Sequence, residues 1–414
     1  MYARRRPKLC LGTRGRMPAE VCTPEVEATT SAASSDSVDP WVANAAGRIA
    51  QRAERDLEDL VAVSSPSGDV QGAERAVAIA SAAMPPGVEL RRWPCSTPAC
   101  APDLCARVHG AGAGRIVLLG HLDTVVSHAA HRPLERDGDR LVGSGAIDMK
   151  GGVALALGVL AELACRPELY AELALLLVCD EEWRTRPLAH VHRFEGFDAC
   201  LCFEAGERTA GGGDAVIVKR KAAGTLRVRA EGRAAHSGAA PESGRSALLA
   251  LAEVARRVDA GADPDGPDQL TAVPTVLHAG AAFNVVPAEG ELTCDLRAES
   301  VGAFDAVLDS IPRELDEVAL VCELVRSWPG MDAREASAGP VARAAERLGR
   351  PLIAAERGGA SDASHMAGTI ALTIDGLGPR GGAAHNPDEW LRVESLRQRA
   401  EVALALALTL LDAR

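Results

Sequence analysis

Five short stretches of this chain carry residues whose types and spacing could do chemistry. In G-H-L-D-T, residues 120–124, His121 and Asp123 stand two apart, so on an extended backbone both side chains point the same way. An imidazole backed by a carboxylate is a common arrangement at zinc. Asp148 lies in a glycine-rich stretch, G-S-G-A-I-D-M-K-G-G (143–152), just before an apolar helical pattern. A helix-capping aspartate would read the same way. Cys179-Asp180-Glu181-Glu182 closes an apolar run with three successive carboxylates, which repel one another unless cations or protons intervene. Glu204 ends the next apolar run, and His385 sits in G-G-A-A-H-N-P-D-E-W (381–390). Two histidines and several carboxylates are the mixed nitrogen and oxygen set that suits zinc or a similar divalent ion. Two such ions side by side need one bridging carboxylate and balanced ligands on each side. The residues here permit that count.

Positioning such residues requires elements that bring distant segments to one edge. Apolar runs at Ile116–Leu119, Leu173–Cys179 and Ala199–Phe203 have strand length, and helical patterns at 71–84 and Ala154–Ala164 alternate with them. Strands that are apolar on both faces, alternating with helices, indicate a parallel sheet covered on both sides. In such sheets ligand sites form at the carboxyl ends of the strands. After Gly211-Gly-Gly213 the texture changes. Thr225–Glu231 and Glu291–Arg297 alternate polar and apolar residues, the pattern of strands wet on one face. Helices are expected at Ser246–Val258 and Ala303–Glu317, and a strand at Leu320–Val325. The expected division is a body made of 41–211 and 329–414, with 212–328 inserted between. Residues 1–40, rich in Ser, Thr, Ala, Pro and Arg, read as a disordered lead, with Met17 a candidate alternative start.

The 414 residues are 47% hydrophobic and 25% charged, which excludes disorder as the main state. Aromatics are only 3%, so the core must be built from Ala, Leu and Val, and aromatic platforms for stacking bases are scarce. The formal charge of −12 gives no general attraction to phosphate backbones or anionic lipid. No apolar run reaches the ~20 residues of a membrane span. Neither a nucleic-acid nor a membrane partner is expected. Eleven cysteines without a C-x-x-C pair fit reduced, buried small hydrophobes in a cytoplasmic protein better than a disulfide framework. Gly110-Ala-Gly-Ala-Gly114 precedes a strand instead of opening a helix, which excludes a dinucleotide fingerprint.

The motifs G-H-L-D-T, G-A-I-D-M-K-G-G, D-E-E, F-E-A-G, A-A-H-S-G, F-N-V-V-P, D-L-R and A-H-N-P-D-E, in this order over about residues 45–412, make the chain resemble the co-catalytic zinc aminoacylase/carboxypeptidase family. That family includes glutamate carboxypeptidase, acetylornithine deacetylase and succinyl-diaminopimelate desuccinylase. The resemblance implies an α/β catalytic domain, a mostly parallel mixed sheet flanked by helices, with an inserted α+β ferredoxin-like dimerisation or lid domain. It implies two zinc ions per chain, with cobalt or manganese as substitutes. His121 and Glu204 would bind one ion, Glu182 and His385 the other, and Asp148 would bridge them. Glu181 would be the general base and Asp123 the acid that orients His121. His236 would reach into a partner subunit's site of a homodimer to stabilise the oxyanion. Asn284, Arg297 and the Gly358-Gly-Ala-Ser-Asp362 loop, through Gly359, would meet the substrate, although Arg297 could instead pair with Asp295. The implied reaction is hydrolysis of an N-acyl amino acid or dipeptide with a free carboxylate. The G-L-G-P-R-G-G-A-A-H-N-P-D-E-W segment is closest to the glutamate carboxypeptidase branch, and a deacetylase or desuccinylase is the alternative. A non-catalytic relative would need a broken catalytic set, and none of these positions carries an inert residue.

Overall fold

The computed structural model describes residues 38–208 and 212–412. Of the lead expected over residues 1–40, residues 1–37 lie outside the described residues, as does Gly211, while Pro40 already opens a helix.

Helix Pro40–Val61 starts where the carboxylate of Asp39 accepts from the backbone N–H of Trp41 (2.9 Å) and Val42 (3.3 Å), with Pro40 in the first turn where its missing N–H costs nothing. Its buried stripe, Val42, Ala45, Ala46, Ile49, Ala53, Leu57 and Leu60, recurs at helical spacing. Helix Val70–Ala82 is capped in the same way by Asp69, which accepts from the N–H of Gly72 at 2.6 Å. Helix Gly151–Ala164 is apolar nearly all round and lies in the main core.

These helices cover a six-stranded sheet of order Glu89–Trp93, Asp103–His109, Tyr170–Val178, Gly114–His121, Ala199–Cys202, Thr373–Ile374. The first two strands are antiparallel to their neighbours and the last four run parallel. The sheet is therefore mixed and mostly parallel. Its register aligns His121 with Val178, and Leu119 with Cys202. Parallel alignment brings the ends of three strands, and the residues just after them, to one edge. The core is as aliphatic as the composition requires, with Leu, Ala and Val dominating the buried set.

A second, antiparallel sheet has the order Thr271–Ala279, Glu289–Ala298, Ala222–Glu231, Val318–Trp328, Glu314–Leu315. Leu226, Val228, Leu292 and Leu296 point to one face, where Leu251, Val254 and Val258 of helix Ala247–Ala260 cover them. The helix expected over 303–317 is shorter than that. A 3-10 turn at Val301–Phe304 runs into helix Asp305–Asp309, and the chain then forms a hairpin. Pro312 cannot continue a helix, and Asp316 and Glu317, at φ of 48° and 59°, turn the chain into the next strand. A third sheet pairs Asp214–Arg220 with Leu352–Arg357 and Met331–Asp332, so the hydrogen-bonded sheet changes at Lys221. Among the described residues no helix is long and apolar enough to cross a membrane.

Candidate metal centre

His121 is the last residue of its strand and is buried. Its Nδ1 lies 3.0 Å from the carbonyl oxygen of Asp123 and 3.5 Å from Asp123 Oδ1. A proton on Nδ1 shared with Asp123 leaves Nε2 turned to Asp148 Oδ1 at 3.2 Å and Glu204 Oε1 at 3.8 Å. Asp123 does more than back the imidazole. Its carboxylate accepts from the N–H groups of Glu181 (3.1 Å) and Glu182 (3.2 Å) and from Ser67 Oγ (2.6 Å). Burial opposes its charge, but His121 and these donors outweigh it and hold the carboxyl below the usual range.

Asp148 lies between two histidines. Oδ1 faces His121, and Oδ2 is 3.1 Å from His385 Nε2. It is largely buried, which works against its charge, yet the two imidazoles pull its carboxyl below the ordinary range. The chain reaches this place through Gly145, at φ of 79°, and leaves it through Gly152. A Cβ on Gly152 would stand 1.9 Å from the carbonyl oxygen of Phe203. The second glycine of K-G-G therefore lets the helix start press against the turn that carries Glu204.

Glu182 Oε2 is 3.4 Å from His385 Nε2, while its Oε1 is buried without a partner. His385 reaches in from an exposed loop at φ of 66°, and its hydrogen bonds to Asp148 and Glu182 raise its pKa to about 10. His121 is also raised, because Asp123 and Asp148 outweigh its burial. Burial pushes Glu204 well above the carboxylate range, and Asp148 adds to the shift. Burial likewise lifts Glu181 to about 7, against the opposing pull of His121. Protons thus offset part of a charge excess that divalent ions would neutralise better. Donor atoms of His121, Asp148 and Glu182 fall within 4.8 Å of one another. An orphaned carboxylate oxygen and an aspartate shared by two imidazoles fit a metal centre.

The other expected residues make their hydrogen bonds elsewhere. His236 is exposed, and its Nδ1 accepts from the N–H groups of Gly238 and Ala239, both at 3.2 Å. Asn284 is exposed, and its carbonyl accepts from the N–H of Ser237 at 3.0 Å. Arg297 forks onto Asp295 with two 3.0 Å bonds. The Gly359 carbonyl accepts from Arg220 Nη1 at 2.7 Å, and Arg220 Nε is itself bonded to Asp375.

Three supporting residues stand inside the motifs quoted above, but their types alone assigned them no task. Lys150 is buried and donates to the carbonyls of Leu60 (3.1 Å) and Val63 (2.7 Å); burial pushes its pKa down to about 7. Glu389 accepts from the Gly145 N–H and ties the His385 loop to the Asp148 loop; burial raises its pKa to about 8. Asp362 holds the buried Arg184, which also bonds Asp180 at 3.0 Å. A second cluster, Cys95, Asp103 and Asp180, also brings donors within 4.8 Å. There Asp180 is already satisfied by Arg184 and by the Thr97 N–H at 2.7 Å, and Asp103 accepts from Cys179 N–H at 2.9 Å. That cluster braces the acidic turn from behind.

Residues 117–409 match the model of Peptidase family M20/M25/M40. The chain belongs to this family. An M20/M25/M40 peptidase is a metal-dependent hydrolase acting on amide bonds, and the cluster described above is its candidate centre. This family member is 27% identical over 376 residues to carboxypeptidase G2 of Pseudomonas sp. (strain RS-16), covering 86% of this chain and 88% of the relative. It is 34% identical over 313 residues to succinyl-diaminopimelate desuccinylase of Stenotrophomonas maltophilia (strain R551-3), covering 70% and 82%. The fold matches that of a tripeptidase from Staphylococcus aureus with a TM-score of 0.70 at 20% identity, over 88% of this chain and 99% of that one.

Proposed function

We propose that this M20/M25/M40 peptidase hydrolyses the amide bond of an N-acyl amino acid or dipeptide with a free C-terminal carboxylate, with two zinc ions as cofactor. The observation that carries the reading is Asp148, whose two oxygens face His121 and His385 separately. His121 and Glu204 would hold one ion, Glu182 and His385 the other, and Asp148 both. Ions bound there supply Lewis-acid polarisation of the scissile carbonyl and acidify water.

The chain's own residues do the rest. Glu181 takes the proton of the attacking water and returns it to the leaving nitrogen, since a buried carboxylate with a pKa near neutrality can do both. Asp123 fixes that base through the Glu181 N–H, and positions His121 through its ring. His236, supplied by the partner subunit of a homodimer, donates to the developing oxyanion. Asn284 and the N–H groups around Gly359 border the substrate. We assign residues 41–211 and 329–414 to the catalytic body and 212–328 to an inserted dimerisation and lid domain. The nine described cysteines are all free, which suits a cytoplasmic enzyme.

Carboxypeptidase G2 matches over more of the chain and the desuccinylase at higher identity, so a succinyl- or acetyl-group hydrolase is the second reading. Hydrolysis of acetyl, succinyl, benzoyl and peptidyl amino acids by the zinc-loaded protein tests both. The pattern of cleavage names the branch. Absence of cleavage by a protein that binds two metals per chain would overturn the substrate class, and absence of metal binding would overturn the centre itself.

A further inference from the structure

Where the strand Asp214–Arg220 begins, arginines outnumber the carboxylates that hold them. Asp214 accepts from Arg350 Nε at 3.0 Å, from Arg399 Nη1 at 3.4 Å and from Arg380 Nη1. Glu401 accepts from Arg350 Nη1 at 2.8 Å and from Arg397 Nε at 3.3 Å. Four guanidiniums against two carboxylates leave two positive charges over. The chain around them carries a formal charge of −12. Arg399 is fully buried, and Arg380 and Asp214 are buried too. Buried charge is costly unless it is paired. Burial lowers the pKa of Arg399 to about 10, Asp214 favours its charge, and Arg380 and Arg350 oppose it.

The excess faces open space. Arg350, Arg380 and Arg397 line a cavity of about 450 Å³, and Asp214 and Glu401 are the carboxylates that line it among the described residues. None of these is a proposed metal ligand. Arg397 stands at the rim, with 58% of its side chain exposed. Arg350 uses Nε on Asp214, Nη1 on Glu401 and Nη2 on the Gln398 carbonyl. A guanidinium carries more N–H donors than these contacts use. Behind the cavity, Arg399 donates to the carbonyls of Gly376 (2.5 Å) and Gly378 (3.3 Å). The Gly378 N–H in turn donates to the Glu204 carbonyl at 2.7 Å, and the Gly206 N–H to the Pro379 carbonyl at 2.8 Å. A Cβ on Gly378 would stand 2.4 Å from the Phe203 carbonyl oxygen. The arginine cluster thus holds the segment that presses on the turn carrying Glu204.

We infer that this cavity binds a phosphate dianion, free or as a monoester, which neutralises the excess charge and braces the segment behind Glu204. The site is separate from the hydrolase reading and stands without it. Two surplus positive charges match a dianion, and guanidinium forks donate paired hydrogen bonds to phosphate oxygens. Asp214 and Glu401 stay engaged with the guanidiniums, so they aim the forks at the anion.

The test is calorimetric titration of the zinc-loaded protein, freed of excess metal, with inorganic phosphate and with methyl phosphate. Chloride buffer holds the ionic strength constant, so a general salt effect does not register as binding. The wild type should bind one equivalent and melt a few degrees higher with it. Arg380→Gln should weaken that equivalent about tenfold to a hundredfold, the loss of hydrogen bonds to a charged group. Arg380→Lys keeps the charge and should retain part of the affinity. Tighter binding of inorganic phosphate makes the free ion the occupant, and tighter binding of methyl phosphate makes it a monoester. Phosphate on the zinc ions would be untouched by Arg380→Gln. If that is the only equivalent, or if neither compound binds, the inference is overturned. Should Arg380→Gln not fold, Arg397→Gln at the exposed rim decides in its place, upheld by weakened binding and overturned by unchanged binding.

Discussion

His121 ends a buried parallel strand and Glu182 and Glu204 follow the ends of two others, whereas His236, Asn284 and Arg297 belong to the antiparallel sheet region and are exposed or half-exposed. In the first region almost every polar atom is placed by another. Asp123 alone gathers two backbone N–H groups, a serine hydroxyl and an imidazole. In the second, the same kinds of residue satisfy themselves locally, within a turn or across two residues of one strand. The difference fits what is proposed for each. A charge-dense ligand set has to be held in place before ions arrive, because its carboxylates repel. Groups proposed to meet a substrate from a lid would gain by remaining open until it is bound.

Replacing Glu181 by Ala should have the largest effect, a fall in kcat of about 10²- to 10⁴-fold with metal content intact by elemental analysis. Metal loss would make Glu181 a ligand and erase the distinction between base and cluster. In the wild type the base must be ionised, so kcat/KM should be full above the pKa of Glu181 and fall one decade per pH unit below it. Burial sets that pKa at about 7, and bound cations can only lower it. An acid limb well above pH 7 would break the assignment.

His236→Ala comes next, at about 10²- to 10³-fold in kcat if it donates to the oxyanion. Mixing this variant with Glu181→Ala sharpens the comparison. Subunits that exchange His236 across a dimer form one intact site per heterodimer and regain activity, and no recovery at any ratio would confine His236 to its own turn. Asp123→Asn should cost about 10- to 100-fold in metal affinity or activity, measured by competition with a chelator. An equal loss from a change at exposed Asn284 would show that the two regions are equally preorganised.

The least effect on activity and the clearest on stability is expected at the seam between them. Asp214 begins the strand that leads from the cluster towards the antiparallel sheet, and it takes Arg350 at 3.0 Å, Arg399 at 3.4 Å and Arg380. Burial opposes its charge, but the three guanidiniums hold its carboxyl below 3.8. Its contribution is therefore complete above that value and is lost as pH falls through the lower, folded one. Asp214→Asn should destabilise by about 3–5 kcal/mol in denaturant melts at pH 7, and the gap should close in acid. A gap that persists at pH 2 would assign the loss to packing.

Much of the parallel body was legible because its signals are local. Apolar runs of strand length, their acidic ends and the helix over Val70–Ala82 are contiguous in the chain, and each stands where the sequence placed it. The overlong helix at 303–317 was not, because helical composition there is overruled by Pro312 and by two residues with positive φ. Glu389, Lys150 and Asp362 were inside recognised motifs, yet their partners, Gly145, Leu60 and Arg184, are up to hundreds of residues away. A residue type says what it can bind, and the fold supplies what it does bind.

By itself the sequence determined the types of the proposed ligands, their order and the strand ends that present them, since burial and periodicity along one segment decide those. Only the tertiary structure decided that Asp148 falls between His121 and His385, that Asp123 orders the acidic turn, and that Arg297 forks onto Asp295. The first two join segments far apart in the chain, which the pairing register of the strands brings to one edge and no strand's own residues reveal.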